Sequence, residues 1–165
     1  MIRRTLLGLS WLGIMSCLFL GCARENSIMV STEQTFLPAL YKKTMCFGPC
    51  PAFTFEVAGT GKATLSIDRS LQNGPLSKLN PGVYRALMLD ASAWNARIQA
   101  AADEVQYNRL DSLYDNQRIT DLPATITEWA GKSVTNRYNG PDLTTLYAAF
   151  DEAMAALKWL PIETK

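Results

Sequence analysis

Thr44-Met45-Cys46-Phe47-Gly48-Pro49-Cys50-Pro51 runs directly into Ala52-Phe53-Thr54-Phe55-Glu56-Val57 and, past Ala58-Gly59-Thr60-Gly61, into Lys62-Ala63-Thr64-Leu65-Ser66-Ile67. Phe53, Phe55 and Val57 alternate with Thr54 and Glu56, and Ala63, Leu65 and Ile67 alternate with Thr64 and Ser66. Period two on both sides of a glycine bend predicts a hairpin with one buried face. A phosphate loop would need a helix after the bend and a further glycine, so Gly59-Thr60-Gly61 reads as a turn. Ahead of the hairpin, Gly48 and Pro49 supply one free φ and one fixed φ, which is turn chemistry rather than helix. The two cysteines therefore lie in a turn, and Pro51 closes it where the strand begins.

Working outward, Asn73-Gly74-Pro75 and Asn80-Pro81-Gly82 mark a surface loop. Val83 to Leu89 is a short apolar run that predicts a further strand. Asp90 or Ser92 then caps a helix whose apolar face carries Ala91, Trp94, Ile98, Ala101, Ala102 and Val105. Tyr107, Leu110, Leu113 and Tyr114 fall at helical spacing and predict a short second helix under a loop. A second hairpin joins Thr125–Glu128 to Ser133–Tyr138 around Trp129-Ala130-Gly131-Lys132. Asn139-Gly140-Pro141-Asp142 opens the last helix, with proline at its first position. Its stripe is Leu143, Leu146, Tyr147, Phe150, Met154 and Leu157, with Lys158 at its end and Pro161 as its stop. The fold class is α+β: an antiparallel sheet of two hairpins plus an extra strand, with the two main helices packed on one face.

The N-terminus has three parts. Arg3 and Arg4 are followed by an apolar run from Leu6 to Leu20, and Gly21-Cys22 ends it. At about 1.5 Å per helical residue the run is short for a hydrocarbon core of roughly 30 Å, so a cleaved signal is the better reading than a transmembrane helix. Leu18-Phe19-Leu20-Gly21-Cys22 resembles the lipobox of bacterial lipoproteins, with Phe19 where that pattern prefers leucine. The resemblance implies a diacylglyceryl thioether on Cys22, cleavage after Gly21 and acylation of the new amine. Several acyl chains at about 0.8 kcal/mol per buried methylene make a firm anchor. Ala23 in place of aspartate, by the same resemblance to lipoproteins of Gram-negative bacteria, permits sorting to the outer membrane, facing the periplasm. The organisation is thus a signal peptide over 1–21, a polar tether over 22–35 and one domain over 36–160, with Ile28-Met29-Val30 a candidate edge strand in the tether. Of 16 basic residues, Arg3 and Arg4 leave with the signal, so 14 face 15 acidic ones at net −1. That balance offers nucleic acid nothing to bind.

Four cysteines are present. Cys17 departs with the signal and lipid takes Cys22, so Cys46 and Cys50 have only each other, and an oxidising compartment closes such a pair. The bridge fixes how the chain before Cys46 enters the strand after Pro51. A redox-active pair would usually show two intervening residues at a helix start; here there are three, and a strand follows. Zinc needs about four ligands, and two thiolates in a chain without histidine fall short, so no metal and no cofactor is expected. Asp111, Asp115 and Asp121 lack the spacing of a calcium loop and read as solvated turn carboxylates.

Cys46-Phe47-Gly48-Pro49-Cys50-Pro51 running into Phe53-Thr54-Phe55-Glu56-Val57 is similar to a bacterial lipoprotein family of unknown function with a Cys-aromatic-Gly-x-Cys-Pro motif. The resemblance extends over Tyr41 to Leu157 and implies a fold and an exported location, with no catalytic assignment to carry over. There is no Gly-x-Ser-x-Gly elbow and no histidine for a triad. The expectation is a non-enzymatic envelope lipoprotein, a binding or assembly module for an envelope protein or glycan. The alternative is thiol–disulfide exchange at Cys46 and Cys50. Paired carboxylates such as Asp111 and Asp121 would be needed for a third reading, hydrolysis of cell-wall material.

Overall fold

Phe53, Phe55 and Val57 of β2 (Ala52–Val57) and Ala63, Leu65 and Ile67 of β3 (Lys62–Arg69) are buried, in a computed structural model that describes residues 35–119 and 121–163. The two strands pair antiparallel, Phe55 opposite Leu65, around the glycine bend. The signal, the lipid on Cys22, Ile28-Met29-Val30 and all of the tether before Thr35 lie outside the described residues. Those that are described belong to one unit, Glu33–Lys165.

The fold is α+β, and among the described residues its sheet has eight strands. The others are β1 (Ala39–Lys43), β4 (Gly82–Leu87), β5 (Leu113–Tyr114), β6 (Thr125–Trp129), β7 (Lys132–Asn136) and β8 (Leu160–Pro161). The spatial order is β5-β7-β6-β1-β2-β3-β4-β8, antiparallel throughout except for the β5–β7 pair. β6 and β7 form the second hairpin, Thr127 opposite Val134. Two hairpins and one extra strand therefore undercount the sheet, which extends at both edges through two-residue strands.

Helices α1 (Ala91–Glu104) and α2 (Thr144–Ala156) bury their apolar stripes against one side of this sheet. Tyr41 on β1 stacks on Phe150 of α2 at 5.1 Å and meets Phe53 edge-on at 5.3 Å. Trp94 of α1 meets Phe55 and Trp129 edge-on at 6.2 and 6.0 Å. Such pairs add about 0.5–1.5 kcal/mol each beyond the area they bury. The opposite side carries the alternate residues Lys42, Thr54, Glu56, Thr64 and Ser66, none of them buried. Alternation in the sequence and coverage by helices on one side are the same fact seen twice.

Asp90 caps α1, its carboxylate accepting from the Ala93 amide at 2.8 Å. The helix also ties down the chain leading into β1: Trp94 Nε1 donates to the Leu37 carbonyl at 3.1 Å, and the Leu37 amide donates to Asn95 Oδ1 at 2.9 Å. Among the described residues no helix is long and apolar enough to cross a membrane.

Three local expectations need correction. The segment from Tyr107 to Tyr114 is a single 3₁₀ turn, Tyr107–Arg109, followed by β5. Gln106 takes a left-handed φ of 51° and breaks the path from α1, while the Tyr107 hydroxyl donates to the Thr127 carbonyl at 2.8 Å and fixes the turn to the sheet. The last helix begins at Thr144, three residues after Pro141. Asp142 Oδ1 instead accepts from the Thr144 amide and hydroxyl, closing a turn on its own backbone. Pro161 does not stop the helix, which ends at Ala156; it sits in β8 opposite Tyr84, an edge position where a missing N–H is tolerated.

Candidate functional site

The turn between β1 and β2 is held by four different devices. Thr44 fixes its first end: its amide donates to the Ala124 carbonyl at 2.9 Å and its Oγ1 accepts from the Ala124 amide at 2.8 Å. Cys46 and Cys50 are joined by a disulfide, Cα to Cα 5.8 Å. The Gly48 amide donates to Cys46 Sγ at 3.2 Å. Arg69, at the end of β3, donates through Nη1 to the Gly48 and Cys46 carbonyls, and Gln72 Nε2 donates to the Pro49 carbonyl at 3.0 Å. Cys46, Gly48, Pro49, Cys50 and Pro51 are thus brought together as one closed loop. Its side chains point out: Phe47 is 97% exposed and Met45 58%.

Pro51 and Gln72 are shared with the wall of a cavity of about 390 Å³ beside the loop. Lys43 and Phe53 on the sheet, Leu71 and Leu76 on the β3–β4 connection, and Asp151 and Met154 on α2 also line it. The size lies within the range of small-molecule sites, and the lining is the mixture such sites use: an apolar floor with a few polar groups at its rim.

Lys43 and Asp151 are the charged pair of this cavity, and they do not form an ion pair. Among the described residues the ion pairs are Arg97–Glu152 and Arg137–Asp115. The Lys43 ammonium lies over the rings of Tyr41 and Phe53, 5.3 and 5.8 Å from their centroids. Partial desolvation pushes the Asp151 carboxyl up from its ordinary value, opposed by the charge of Lys43 and by the Tyr41 hydroxyl. Tyr41 is fully buried, and its hydroxyl makes no hydrogen bond of normal geometry. Burial first, then the nearby charge of Asp151, pushes its phenol well above the usual tyrosine range. The cavity therefore gathers a cation and an anion that form no ion pair with each other, with the Tyr41 phenol buried behind them.

The remaining carboxylates singled out by sequence do not join this site. Asp115 pairs with Arg137 Nη1 at 3.0 Å and braces the loop before β6, while Asp111 and Asp121 are exposed. Among the described residues no group of three or more His, Cys, Asp or Glu could hold a metal ion. Lys43, Arg69 and Asp151 escaped the reading of the sequence. Lys43 and Asp151 are 108 positions apart, on a strand end and on the exposed flank of a helix, and no spacing rule connects them.

Residues 39–154 match a family model described as Domain of unknown function (DUF6438). The chain belongs to the DUF6438 family. The DUF6438 span begins with the first residue of β1 and ends at Met154, so it takes in the disulfide loop, Lys43 and Asp151. No curated protein and no solved structure matches the chain.

Proposed function

We propose that this DUF6438 protein is a bacterial envelope lipoprotein, held to the outer membrane by acyl chains on Cys22, whose folded body is a non-enzymatic binding module. The leader from Arg3 to Cys22 supports the anchor, and the Cys-Phe-Gly-Pro-Cys-Pro turn supports membership among exported lipoproteins. The observation that carries the binding reading is the cavity beside the disulfide loop, where Lys43 and Asp151 stand on an apolar floor and leave each other unpaired. A partner in the envelope, protein or glycan, would meet this end of the body first through the projecting Phe47.

The full chain, expressed with its leader and purified from membranes after crosslinking in place, tests both halves. Intact mass should show the diacylglyceryl and acyl additions on Cys22, absent in Cys22→Ser, and the wild type should recover the same protein or glycan in replicate preparations. An unlipidated chain that recovers no reproducible partner overturns the reading.

One observation favours the second reading, thiol–disulfide exchange. The Gly48 amide donates to Cys46 Sγ at 3.2 Å, a contact that would also stabilise a thiolate there. Equilibration of the native protein in dithiothreitol buffers separates the two. A pair still oxidised at about −300 mV is structural, whereas reduction at milder potentials assigns it redox work.

A further inference from the structure

We propose that the cavity between the disulfide loop and α2 binds a small zwitterion, a free amino acid or dipeptide with an apolar side chain, its carboxylate on Lys43 and its ammonium on Asp151. This deepens the binding reading above and rests on it.

Charge balance selects the class. Lys43 alone would attract an anion, but Asp151 acts on the same space and repels it. Asp151 alone would attract a cation, which Lys43 repels. A ligand carrying both charges satisfies both groups at once, and this is possible because the two side chains are not already joined to each other. Each also has a reason to remain unjoined. The ammonium of Lys43 is held over the faces of Tyr41 and Phe53, and the carboxyl of Asp151 stands on the flank of α2. A bound ammonium lowers the cost of ionising Asp151 in its partly desolvated position.

Shape and polarity select the rest. Phe53, Leu76 and Met154 make an apolar floor that accepts an aliphatic side chain, and about 390 Å³ is room for a dipeptide. Gln72 adds an amide at the rim, where it already holds the Pro49 carbonyl. The disulfide loop then acts as a fixed wall, since Pro51 at its end lines the cavity and Gln72, also in the lining, holds its Pro49 carbonyl.

Calorimetric titration of the purified full chain with leucine, alanyl-leucine, N-acetyl-leucine and leucinamide tests this, with thermal unfolding of each variant as the check on folding. Leucine or alanyl-leucine should bind saturably, and blocking either end of leucine should weaken binding about tenfold, or about 1.4 kcal/mol. Lys43→Met should abolish the advantage of leucine over leucinamide, and Lys43→Arg should restore it. Asp151→Asn, on the exposed flank of α2, should let N-acetyl-leucine bind as well as leucine. No saturable binding by any of the four, or zwitterion binding indifferent to both Lys43→Met and Asp151→Asn, overturns the proposal. A crosslinked envelope partner found alongside such a failure would leave the binding-module reading standing and remove only this ligand class.

Discussion

The two ends of β2 are closed in opposite ways. At its start, the turn from β1 turns its side chains into water and is held by sulfur, by Arg69 and Gln72 on its carbonyls, and by Thr44 on Ala124. At its end, the bend into β3 has no covalent help; the Gly61 amide donates to the Ala58 carbonyl and the Ala58 amide to the Lys62 carbonyl, both at 2.9 Å, and packing adds to these. Gly61 takes a left-handed φ of 76° and is buried, with the Phe36 ring lying against it. The first turn buries no side chain and is tied by a disulfide and by side chains reaching its carbonyls, whereas the second adds the shape of a buried ring to its own backbone bonds. Only the first can present an apolar residue such as Phe47 without losing its conformation.

Gly61→Ala should show the largest effect. A Cβ there would lie 2.6 Å from Phe36 Cε2, against a backbone that L-residues enter reluctantly. Denaturant unfolding should record a loss of about 2–4 kcal/mol from strain and overpacking together, and Phe36→Leu in the same chain should return part of it. A loss within experimental error would mean that the packed end is no tighter than the tied one. Cys46→Ser with Cys50→Ser should cost less, about 2 kcal/mol, because so short a loop removes little entropy from the unfolded chain. A much larger loss would show that the bridge also holds the side-chain ties from Arg69 and Gln72. Phe47→Ser should be the smallest, within about 0.5 kcal/mol, since nothing in the fold rests on that ring. A clear destabilisation would place Phe47 in a contact and erase the contrast between the ends.

Alternation made both hairpins legible: Phe53, Phe55 and Val57 repeat at a period only a strand can use, and Asp90 before an apolar stripe announces α1. The edges of the sheet were not legible because β5 and β8 are two residues each, too short for any period, and their pairing is dictated from elsewhere. Tyr107, Leu110, Leu113 and Tyr114 do fall at helical spacing, yet the left-handed Gln106 and the Tyr107 hydroxyl on Thr127 override it. At α2 the Asn139-Gly140-Pro141-Asp142 run is a genuine turn signal read three residues too early, because Asp142 closes on Thr144 rather than capping from within the first turn. The disulfide loop was visible because its parts are adjacent in the chain. The cavity was not, since its charges meet only after α2 folds back on the sheet.

The position of β1 has a consequence for assembly. Among the described residues it is the first strand of the sheet in sequence, and it is among the innermost in space, with β2 on one flank and β6 on the other. A chain emerging N-terminus first can zip β1 to β4 into a meander early, but one flank of β1 stays open until Thr125–Trp129 arrive. For that interval the nascent molecule offers an unsealed row of amides and carbonyls to any neighbouring strand. Its yield should therefore depend on how quickly the last third follows the first.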